Sequence, residues 1–398
     1  MISMLVAKQV TKVFGPQPER AVSLLRQGHS REEVLSRTKC TVAVREVDIE
    51  VRRGELFVIM GLSGSGKSTL LRMFNRLIQP TSGEIYVDGR EISIVGDHDL
   101  RALRNRKLSM VFQHFAIFPH RTVRDNVSFG LSLRNLSKGD LDARTNWALE
   151  SVGLNGWEDV RPAELSGGMK QRVGLARALA TDAEVLLMDE PFSALDPLIR
   201  REMQNLLLQL HRNLGRTIVF VTHDLNEAMR IGDRIVLMKD GRVVQSGTGA
   251  EILASPADDY VNDFVSDVDR TRVLKARDIM RVPETASLRD DLTVVLNQIE
   301  AENAKLLHVV DEEGRFIGTV FKGRIVRAME VGSCRLDLSL VKTDGDVVEP
   351  DARLLDCLSL TYGGGPPLAV VDHERRLLGV VSPDAVLQAL KPPLGNKH

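Results

Sequence analysis

The chain of 398 residues has little cysteine, few aromatic residues and no long apolar run. Its cysteines, Cys40, Cys334 and Cys357, lie far apart and form no Cys-x-x-Cys pair, which argues against a disulfide framework or a zinc cluster. We expect them to be ordinary buried or half-buried thiols. No apolar segment approaches the roughly 20 residues of a membrane-spanning helix, and the N-terminus lacks the pattern of a signal peptide. The sequence therefore predicts a cytosolic protein.

Neither sign of charge dominates the sequence. Lysine and arginine together number 53 and the acidic residues 54, so the formal net charge is −1. A near-neutral chain lacks the electrostatic footprint of a nucleic-acid binder. Its length suits two or three domains with buried cores. We therefore expect a multidomain globular protein with no nucleic-acid partner.

One glycine-rich loop stands out against this ordinary composition. Residues 61–69 read Gly-Leu-Ser-Gly-Ser-Gly-Lys-Ser-Thr; they follow the apolar run 56–60 and precede a helical pattern at 70–74. Glycines let a backbone curl around an anion and point its N–H groups at phosphate oxygens, next to a helix N-terminus. In such a loop Lys67 reaches the β- and γ-phosphates and Ser68 ligates Mg²⁺. A chance match is the alternative, and the flanking strand and helix argue against it.

Two later strands end in side chains that suit phosphate chemistry. The strand 185–190 ends in Asp189 and Glu190, whose side chains point apart on an extended chain and so have different roles. We predict that Asp189 holds Mg²⁺ and that Glu190 polarises a water molecule. The strand 218–224 delivers His223 near its C-terminal end, where ligands bind in open α/β sheets. Taken singly, the acids are more often solvated turn residues and the histidine is more often structural.

Gln113 and Phe14 are weaker candidates for the same site. Gln113 ends the short strand 108–113, where it either caps a loop or holds Mg²⁺ or the attacking water. Phe14 ends an N-terminal strand and either stacks on an adenine ring or joins the core. The residues alone favour the core for Phe14.

A second glycine loop, Leu165-Ser166-Gly167-Gly168, also opens a helix. The chain thus has a second helix N-terminus that can bind an anion. One nucleotide cannot readily use two such sites in one subunit. We therefore predict that this loop serves the nucleotide of a partner subunit.

Together these motifs make residues 1 to about 265 resemble an ATP-binding cassette (ABC) subunit. The resemblance implies an α/β fold class, a P-loop NTPase of ABC type with a RecA-like mixed core sheet and a helical subdomain at about 114–180. The family signatures occur in order as the Walker A loop at 61–69, the Q-loop residue Gln113, the LSGG signature at 165–168, the Walker B residues Asp189 and Glu190, the D-loop at 193–196 and the switch histidine His223.

The resemblance also implies a composite site. In that family two cassettes form a head-to-tail dimer, in which ATP on Walker A of one subunit is closed by the signature loop of the other. The cofactors implied are ATP and Mg²⁺. The nucleotide-binding residues implied are Phe14, Gly61, Ser63, Gly64, Ser65, Gly66, Lys67, Ser68, Thr69, Ser166, Gly168 and Asp196; the magnesium ligands are Ser68, Gln113 and Asp189; the catalytic residues are Glu190, His223 and Gln113.

The segment 16–40 departs from a typical cassette. It is predicted to insert two short helices, with a capping box at Ser30 and Glu33, between two strands. The insertion and the run 57–66 resemble ATPase subunits of importers for glycine betaine, proline betaine or choline. This implies a peripheral ATPase at the cytoplasmic face of the membrane, with permease subunits and, indirectly, a substrate-binding protein as partners. The alternatives are an importer of another solute, such as an amino acid or polyamine, and a soluble cassette ATPase outside transport.

The C-terminal part contains an internal repeat. A strand, an acidic turn, a second strand and an apolar helix begin at residue 306 and recur from residue 367. The repeat resembles a pair of CBS motifs, an α+β domain at 276–390, and so implies regulation by a nucleotide or ion. A dimerisation domain without a ligand is the alternative. We expect a linker at 266–275 and a tail at 391–398.

Overall fold

The computed structural model describes residues 3–113, 116–134, 136–266, 268–361 and 365–391. These residues form two compact units. The first contains residues up to 252 together with 256–265, and the second contains 253–255 and the residues from 266 onward. None of the helices in the described ranges is both long enough and apolar enough to cross a lipid bilayer.

The first unit holds most of the regular structure. Its strands are β1 (Ser3–Phe14), β2 (Thr41–Arg52), β3 (Leu56–Met60), β4 (Ser82–Val87), β5 (Arg90–Glu91), β6 (Leu108–Val111), β7 (Val185–Asp189), β8 (Thr217–Thr222), β9 (Arg234–Lys239) and β10 (Arg242–Gly247). The helices up to residue 265 are α1 (Pro18–Arg26), α2 (Arg31–Thr38), α3 (Lys67–Phe74), α4 (Asp97–Lys107), α5 (Val123–Ser132), α6 (Lys138–Ser151), α7 (Gly167–Ala180), α8 (Pro197–Leu214), α9 (Leu225–Ile231), α10 (Gly249–Ala254) and α11 (Asp259–Val265).

A six-stranded sheet forms the centre of this unit. Its order is β10-β9-β3-β8-β7-β6. The edge strand β10 is antiparallel to β9, and the other neighbouring strands are parallel, so the sheet is mixed as predicted. β3, β7 and β8 are wholly buried, which explains why they are continuous apolar runs rather than alternating patterns. Because these three strands are parallel, their C-terminal ends meet at one edge of the sheet.

Two further layers complete the unit. The antiparallel sheet β2-β1-β4-β5 shares a hydrophobic core with the central sheet, and α3 contributes Leu70 and Phe74 to it. Helices α5, α6 and α7 pack on one another and form the helical part between β6 and β7.

The segment 16–40 forms two helices, α1 and α2, which confirms the predicted insertion. The predicted capping box is present: Glu33 N donates to Ser30 Oγ at 3.2 Å, and Ser30 N donates to Glu33 Oε2 at 2.8 Å. The apolar faces of the two helices make a small core of their own with β1 and β2. Arg31 also ties α2 to the rest of the unit, because its guanidinium donates to Val42 O at 2.8 Å and to Asp240 Oδ1 at 2.9 Å.

The second unit repeats one topology. Its strands are β11 (Thr285–Ser287), β12 (Leu306–Val310), β13 (Phe316–Phe321), β14 (Val341–Lys342), β15 (Val347–Val348), β16 (Leu368–Val371) and β17 (Leu377–Val381). Its helices are α12 (Arg270–Val273), α13 (Ala276–Ile279), α14 (Leu292–Ala301), α15 (Lys322–Glu330), α16 (Leu354–Thr361) and α17 (Pro383–Leu390).

The two copies of the sequence repeat have the same pattern of strand pairing. β11 is parallel to β12, which is antiparallel to β13; β15 is parallel to β16, which is antiparallel to β17. With the intervening helices, each copy is a βαββα unit. The two copies are joined by backbone hydrogen bonds from Phe316 N to Arg375 O, at 2.8 Å, and from Leu377 N to Gly314 O, at 3.0 Å.

Two details differ from a simple expectation. The segment 266–275, predicted as a linker, contains the helix α12. The expectation for the thiols holds for Cys40 and Cys357, which are buried, and is wrong for Cys334, which is exposed. The predicted tail beyond residue 391 lies outside the described residues.

Candidate nucleotide-binding site

The Walker A loop 61–66 connects β3 to α3 and is enclosed by neighbouring backbone. Gly61 and Gly66 have φ angles of +148° and +96°, in the left-handed region that favours glycine. A Cβ atom at Gly61 would overlap the carbonyl oxygen of Met238, and one at Gly66 would overlap that of Ala43. Glycine is therefore needed at both positions for two reasons: the local φ angle, and the close approach of backbone carbonyl groups from β9 and β2.

Lys67 is the first residue of α3 and only 5% of it is exposed. Its Nζ donates to the carbonyl oxygens of Gly61 and Leu62, both at 2.9 Å. Burial lowers the pKa of Lys67, while the nearby carboxylates of Glu190 and Asp189 act in the opposite direction. The structure thus holds an ammonium group inside the loop, where it can meet a phosphate oxygen.

The other loop side chains differ in exposure. Ser63 and Gly64 are exposed, Ser65 is buried, and Ser68 and Thr69 are half-buried on the first turn of α3. The Ser65 hydroxyl is buried without a hydrogen-bond partner among the described residues. A buried hydroxyl of this kind is usually satisfied by another group, so its position fits a ligand.

Asp189 ends β7, and its side chain is 2% exposed. Arg72 of α3 donates to Asp189 Oδ2 from Nε at 3.2 Å and from Nη2 at 3.0 Å. The other oxygen, Oδ1, is buried and has no partner among the described residues. An unsatisfied buried acceptor costs about 1–3 kcal/mol. Oδ1 therefore fits a hard cation such as Mg²⁺, which prefers oxygen ligands.

Glu190 and His223 are in direct contact. Glu190 follows β7 with φ at +45°, and its N–H donates to Val221 O at 3.1 Å. Its Oε2 lies 3.0 Å from Nδ1 of His223, which follows β8. The histidine side chain is 57% exposed, against 17% for the glutamate. A non-glycine residue at positive φ is uncommon and persists where its surroundings fix it, so Glu190 is held in place.

Gln113 is linked to the same pair through Ser193. Its Nε2 donates to Ser193 Oγ at 3.4 Å, and that hydroxyl donates to Glu190 O at 3.0 Å. A chain of hydrogen bonds therefore joins all three predicted catalytic residues. The sequence places Ser193 in the D-loop but gives it no role at the site.

Phe14 ends β1 and is 43% exposed, so the interpretation of this ring as a core residue is wrong. Lys12 Nζ lies 4.9 Å from the centroid of the ring. An exposed aromatic face with a cation beside it is compatible with stacking on a base.

The signature residues lie at the start of α7 and face α8. Ser166 is exposed, and its Oγ accepts a hydrogen bond from Met169 N at 3.3 Å as the N-cap of α7. A Cβ at Gly168 would lie 2.6 Å from Cγ2 of Ile199. Asp196 Oδ1 accepts from Leu198 N and Ile199 N, both at 3.1 Å, and so caps α8.

Known proteins match the chain over its whole length. The profile of the ABC transporter family matches residues 44–193. The chain is 47% identical to the glycine betaine transport ATP-binding protein OpuAA of Bacillus subtilis, over 96% of this chain and 91% of that protein. It is 43% identical to the glycine betaine/proline betaine transport system ATP-binding protein ProV of Salmonella typhimurium, over 100% of both.

A solved structure is also similar to part of the chain. The ATP-binding cassette MJ0796, a dimeric post-hydrolysis state bound to ADP and Pi, superposes with a TM-score of 0.52 at 34% identity. The match covers 62% of this chain and 98% of that one. Because relatives more than 40% identical match it over nearly its whole length, the chain belongs to the ABC transporter family, among the glycine betaine transport ATP-binding proteins.

Proposed function

We propose that this chain is the ATP-hydrolysing subunit that energises import of glycine betaine or a related quaternary amine or proline osmoprotectant. The observation that carries the proposal is the similarity to a glycine betaine transport protein over 96% of the chain. That extent leaves neither the two-helix insertion nor the second unit outside the match. In contrast, the similarity to a sulfate/thiosulfate import protein of Synechococcus elongatus covers 57% of the chain.

The residues at the sheet edge would divide the work of hydrolysis. Lys67 and the N–H groups of the Walker A loop would bind the phosphates. Glu190 would polarise a water molecule for attack on the γ-phosphate, since His223 already holds its carboxylate at 3.0 Å. Gln113 and His223 would sense the γ-phosphate: Gln113 is linked to Glu190 through Ser193, and His223 contacts the Glu190 carboxylate directly.

Ser68, Gln113 and Asp189 are the residues that would hold Mg²⁺. The buried and unpartnered Oδ1 of Asp189 supports this assignment. When bound, the ion neutralises charge on the phosphates. Arg72 neutralises the other carboxylate oxygen, so it would leave Oδ1 directed at the metal site.

A homodimer of cassettes is part of the proposal. Ser166 is exposed at the start of α7, in a loop that leaves it open to a neighbouring molecule. We propose that Ser166, Gly168 and Asp196 close the nucleotide site of the other subunit. The dimeric form of the similar MJ0796 cassette supports this arrangement.

A groove on the first unit is the proposed docking site for a permease. Its volume is about 430 Å³. Its walls include Phe112, Ala116, Phe118 and Phe129, with Arg104 and Arg177 beside them. Gln113 and the loop from Phe115 to Arg121 are the residues that would face the permease; Phe115 itself lies outside the described residues. Docking there would keep the chain peripheral, at the cytoplasmic face, with a substrate-binding protein as an indirect partner.

We propose that the second unit is a CBS pair that regulates the ATPase. The support is the βαββα repeat and the packing of the two copies, in which Phe316 contacts Ala369 and Val371. The His308 Nε2 lies 3.3 Å from Pro367 O across the same junction. A nucleotide or an ion is the proposed ligand.

The test is uptake of radiolabelled glycine betaine by vesicles that carry this chain with its permease and binding protein, at low and high internal salt. We expect ATP-dependent uptake that rises with salt, and no uptake with Glu190→Gln, which should hold ATP in a closed dimer. ATP hydrolysis without betaine uptake would instead favour an importer of another solute, tested with trimethylamine N-oxide, an amino acid and a polyamine. Hydrolysis without co-purification of a permease would favour a cassette ATPase outside transport.

A further inference from the structure

Arg200 connects two segments that flank the catalytic pair. It lies on the first turn of α8, directly after the D-loop 193–196. Its Nη2 donates to the carbonyl oxygen of Leu195 at 3.1 Å, and its Nη1 donates to Asp224 Oδ2 at 3.3 Å. One planar guanidinium thus joins the backbone of the D-loop to the residue that follows His223.

Asp224 fixes the backbone at the switch histidine. Its Oδ1 accepts from Glu227 N at 3.1 Å, and its own N–H donates to Thr222 Oγ1 at 3.0 Å. The carboxylate is therefore held on one oxygen by the start of α9 and on the other by Arg200. Since His223 lies between Thr222 and Asp224, a displacement of Asp224 moves the imidazole relative to Glu190.

A second contact between α8 and α9 is buried. Gln204 Nε2 donates to Glu227 Oε1 at 2.9 Å, and Arg230 Nη1 donates to Gln204 Oε1 at 2.6 Å. Gln204 and Glu227 are both buried, and burial raises the pKa of Glu227. Buried polar groups that satisfy one another restrict movement between the helices that carry them. A shift at the D-loop is therefore transmitted to the start of α9 rather than absorbed between the two helices.

We propose that Arg200 is a positioning residue for ATP hydrolysis, which couples the D-loop to the orientation of His223 against Glu190. The inference rests on the proposed ATPase function and adds a residue outside the nucleotide-binding set. Lysine should not replace arginine here, because a planar guanidinium can donate to two separate acceptors at once, whereas the lysine ammonium is a compact point charge. The D-loop of a subunit that meets its partner can thus control when Glu190 is correctly held.

Steady-state ATP hydrolysis by the full chain tests this coupling. Wild type and Glu190→Gln are assayed first; hydrolysis by wild type alone establishes the activity, and its absence from wild type would mean that the proposed function fails, not the coupling. We then expect Arg200→Ala to lower kcat roughly ten- to a hundredfold with KM for ATP nearly unchanged, since misplaced groups lose rate rather than binding. Arg200→Lys should remain impaired. Arg201→Ala, exposed on the same helix, is the matched control and should retain wild-type kcat.

A double-mutant cycle separates positioning from folding. With His223→Ala as background, measured under single-turnover conditions with excess protein, Arg200→Ala should cause no further loss, because its effect passes through His223. The same fold-loss in both backgrounds, or a loss that follows a lowered melting temperature, would overturn the proposal. So would an unchanged kcat for Arg200→Ala, or an effect on KM alone.

Discussion

The two glycine loops, 61–66 and 165–168, have similar compositions and each opens a helix, yet their surroundings are opposite. Around the Walker A loop, carbonyl groups of β2 and β9 stand where a glycine Cβ would be, and Lys67 is enclosed by the loop itself. The signature loop presents Ser166 outward, and the atom that a Cβ at Gly168 would meet belongs to the side chain of Ile199 and not to the backbone. The first loop is enclosed by its own subunit, whereas the second is exposed, as the proposed dimer requires.

The largest effect on folding should come from Gly61→Ala. The substitution combines a strained φ with overlap on the Met238 carbonyl, so we expect the free energy of unfolding to fall by about 3 kcal/mol and ATP binding to be lost. Denaturant unfolding and ATP titration measure both. Gly64→Ala is the control, because Gly64 has φ at +80° with nothing within 4 Å and should lose only about 1 kcal/mol. Equal losses at the two positions would contradict the enclosure of the loop.

Ser166→Arg should separate catalysis from folding in the second loop. We expect the rate of ATP hydrolysis to fall about a hundredfold, which is the loss typical when a group that stabilises the transition state is removed. ATP binding should be retained. Unfolding free energy should drop by about 1 kcal/mol through loss of the helix cap. Ser137→Arg removes an equivalent cap, since Ser137 Oγ accepts from Asp140 N at 3.1 Å at the start of α6, and it should leave hydrolysis unchanged. Equal hydrolysis by both variants would argue against a shared nucleotide site.

The buried charge of Lys67 gives the first loop a pH dependence that the second lacks. Because burial lowers the pKa of Lys67 from its usual 10.5, the unfolded chain binds more protons between the folded value and 10.5. Without ATP, wild type should therefore gain stability relative to Lys67→Met as the pH rises through that window. ATP should reduce the gain, since phosphates favour the charged ammonium. Unfolding curves at several alkaline pH values measure this difference in stability. The difference between wild type and Ser166→Ala, which keeps Lys67, should not change with pH.

The smallest effect should come from Arg31→Ala. This substitution removes contacts between the two-helix insertion and the strand that borders the Walker A loop. The ion pair with Asp240 is between side chains 25% and 69% exposed, so it contributes about 0.5 kcal/mol at most. Arg31 also donates to Val42 O, next to the Ala43 carbonyl that borders Gly66. We expect ATP affinity to weaken by about twofold, measured by titration. Arg20→Ala, exposed on α1, should leave it unchanged; a tenfold loss with Arg31→Ala would mean a larger role for the insertion.

Local signals predicted the elements that carry the site. The apolar run at 56–60, the glycines after it and the helical pattern from 70 are confirmed as β3, loop and α3. The wholly buried β7 and β8 could also be predicted from the sequence. Parallel strands covered on both faces appear as continuous apolar runs instead of alternating apolar and polar residues. The capping box at Ser30 and Glu33 identified α2 through contacts three residues apart.

Residues that meet across long sequence separations were missed. Arg72 and Asp189 are 117 residues apart, and Gln113 and Ser193 are 80 apart, so no local pattern marks either contact. Arg200 was missed for the same reason. The residues alone favoured the core for Phe14, because an aromatic residue at a strand end carries no signal of whether a neighbour covers it; the family resemblance instead assigned the ring to adenine stacking.

By itself the sequence determined the strands, glycine loops and helix starts that carry the candidate groups, because strand and helix periodicity and glycine chemistry act within a few residues. The fold class followed from the resemblance of these motifs, taken together, to ABC subunits. Only the tertiary structure decided how those groups are held: the carbonyl groups that enclose the first loop, the Arg72 pair that leaves one Asp189 oxygen unpartnered, and the Arg200 link between the D-loop and His223. These contacts join distant segments at the C-terminal edge of the central sheet, and strand order, which no short pattern specifies, brings them together.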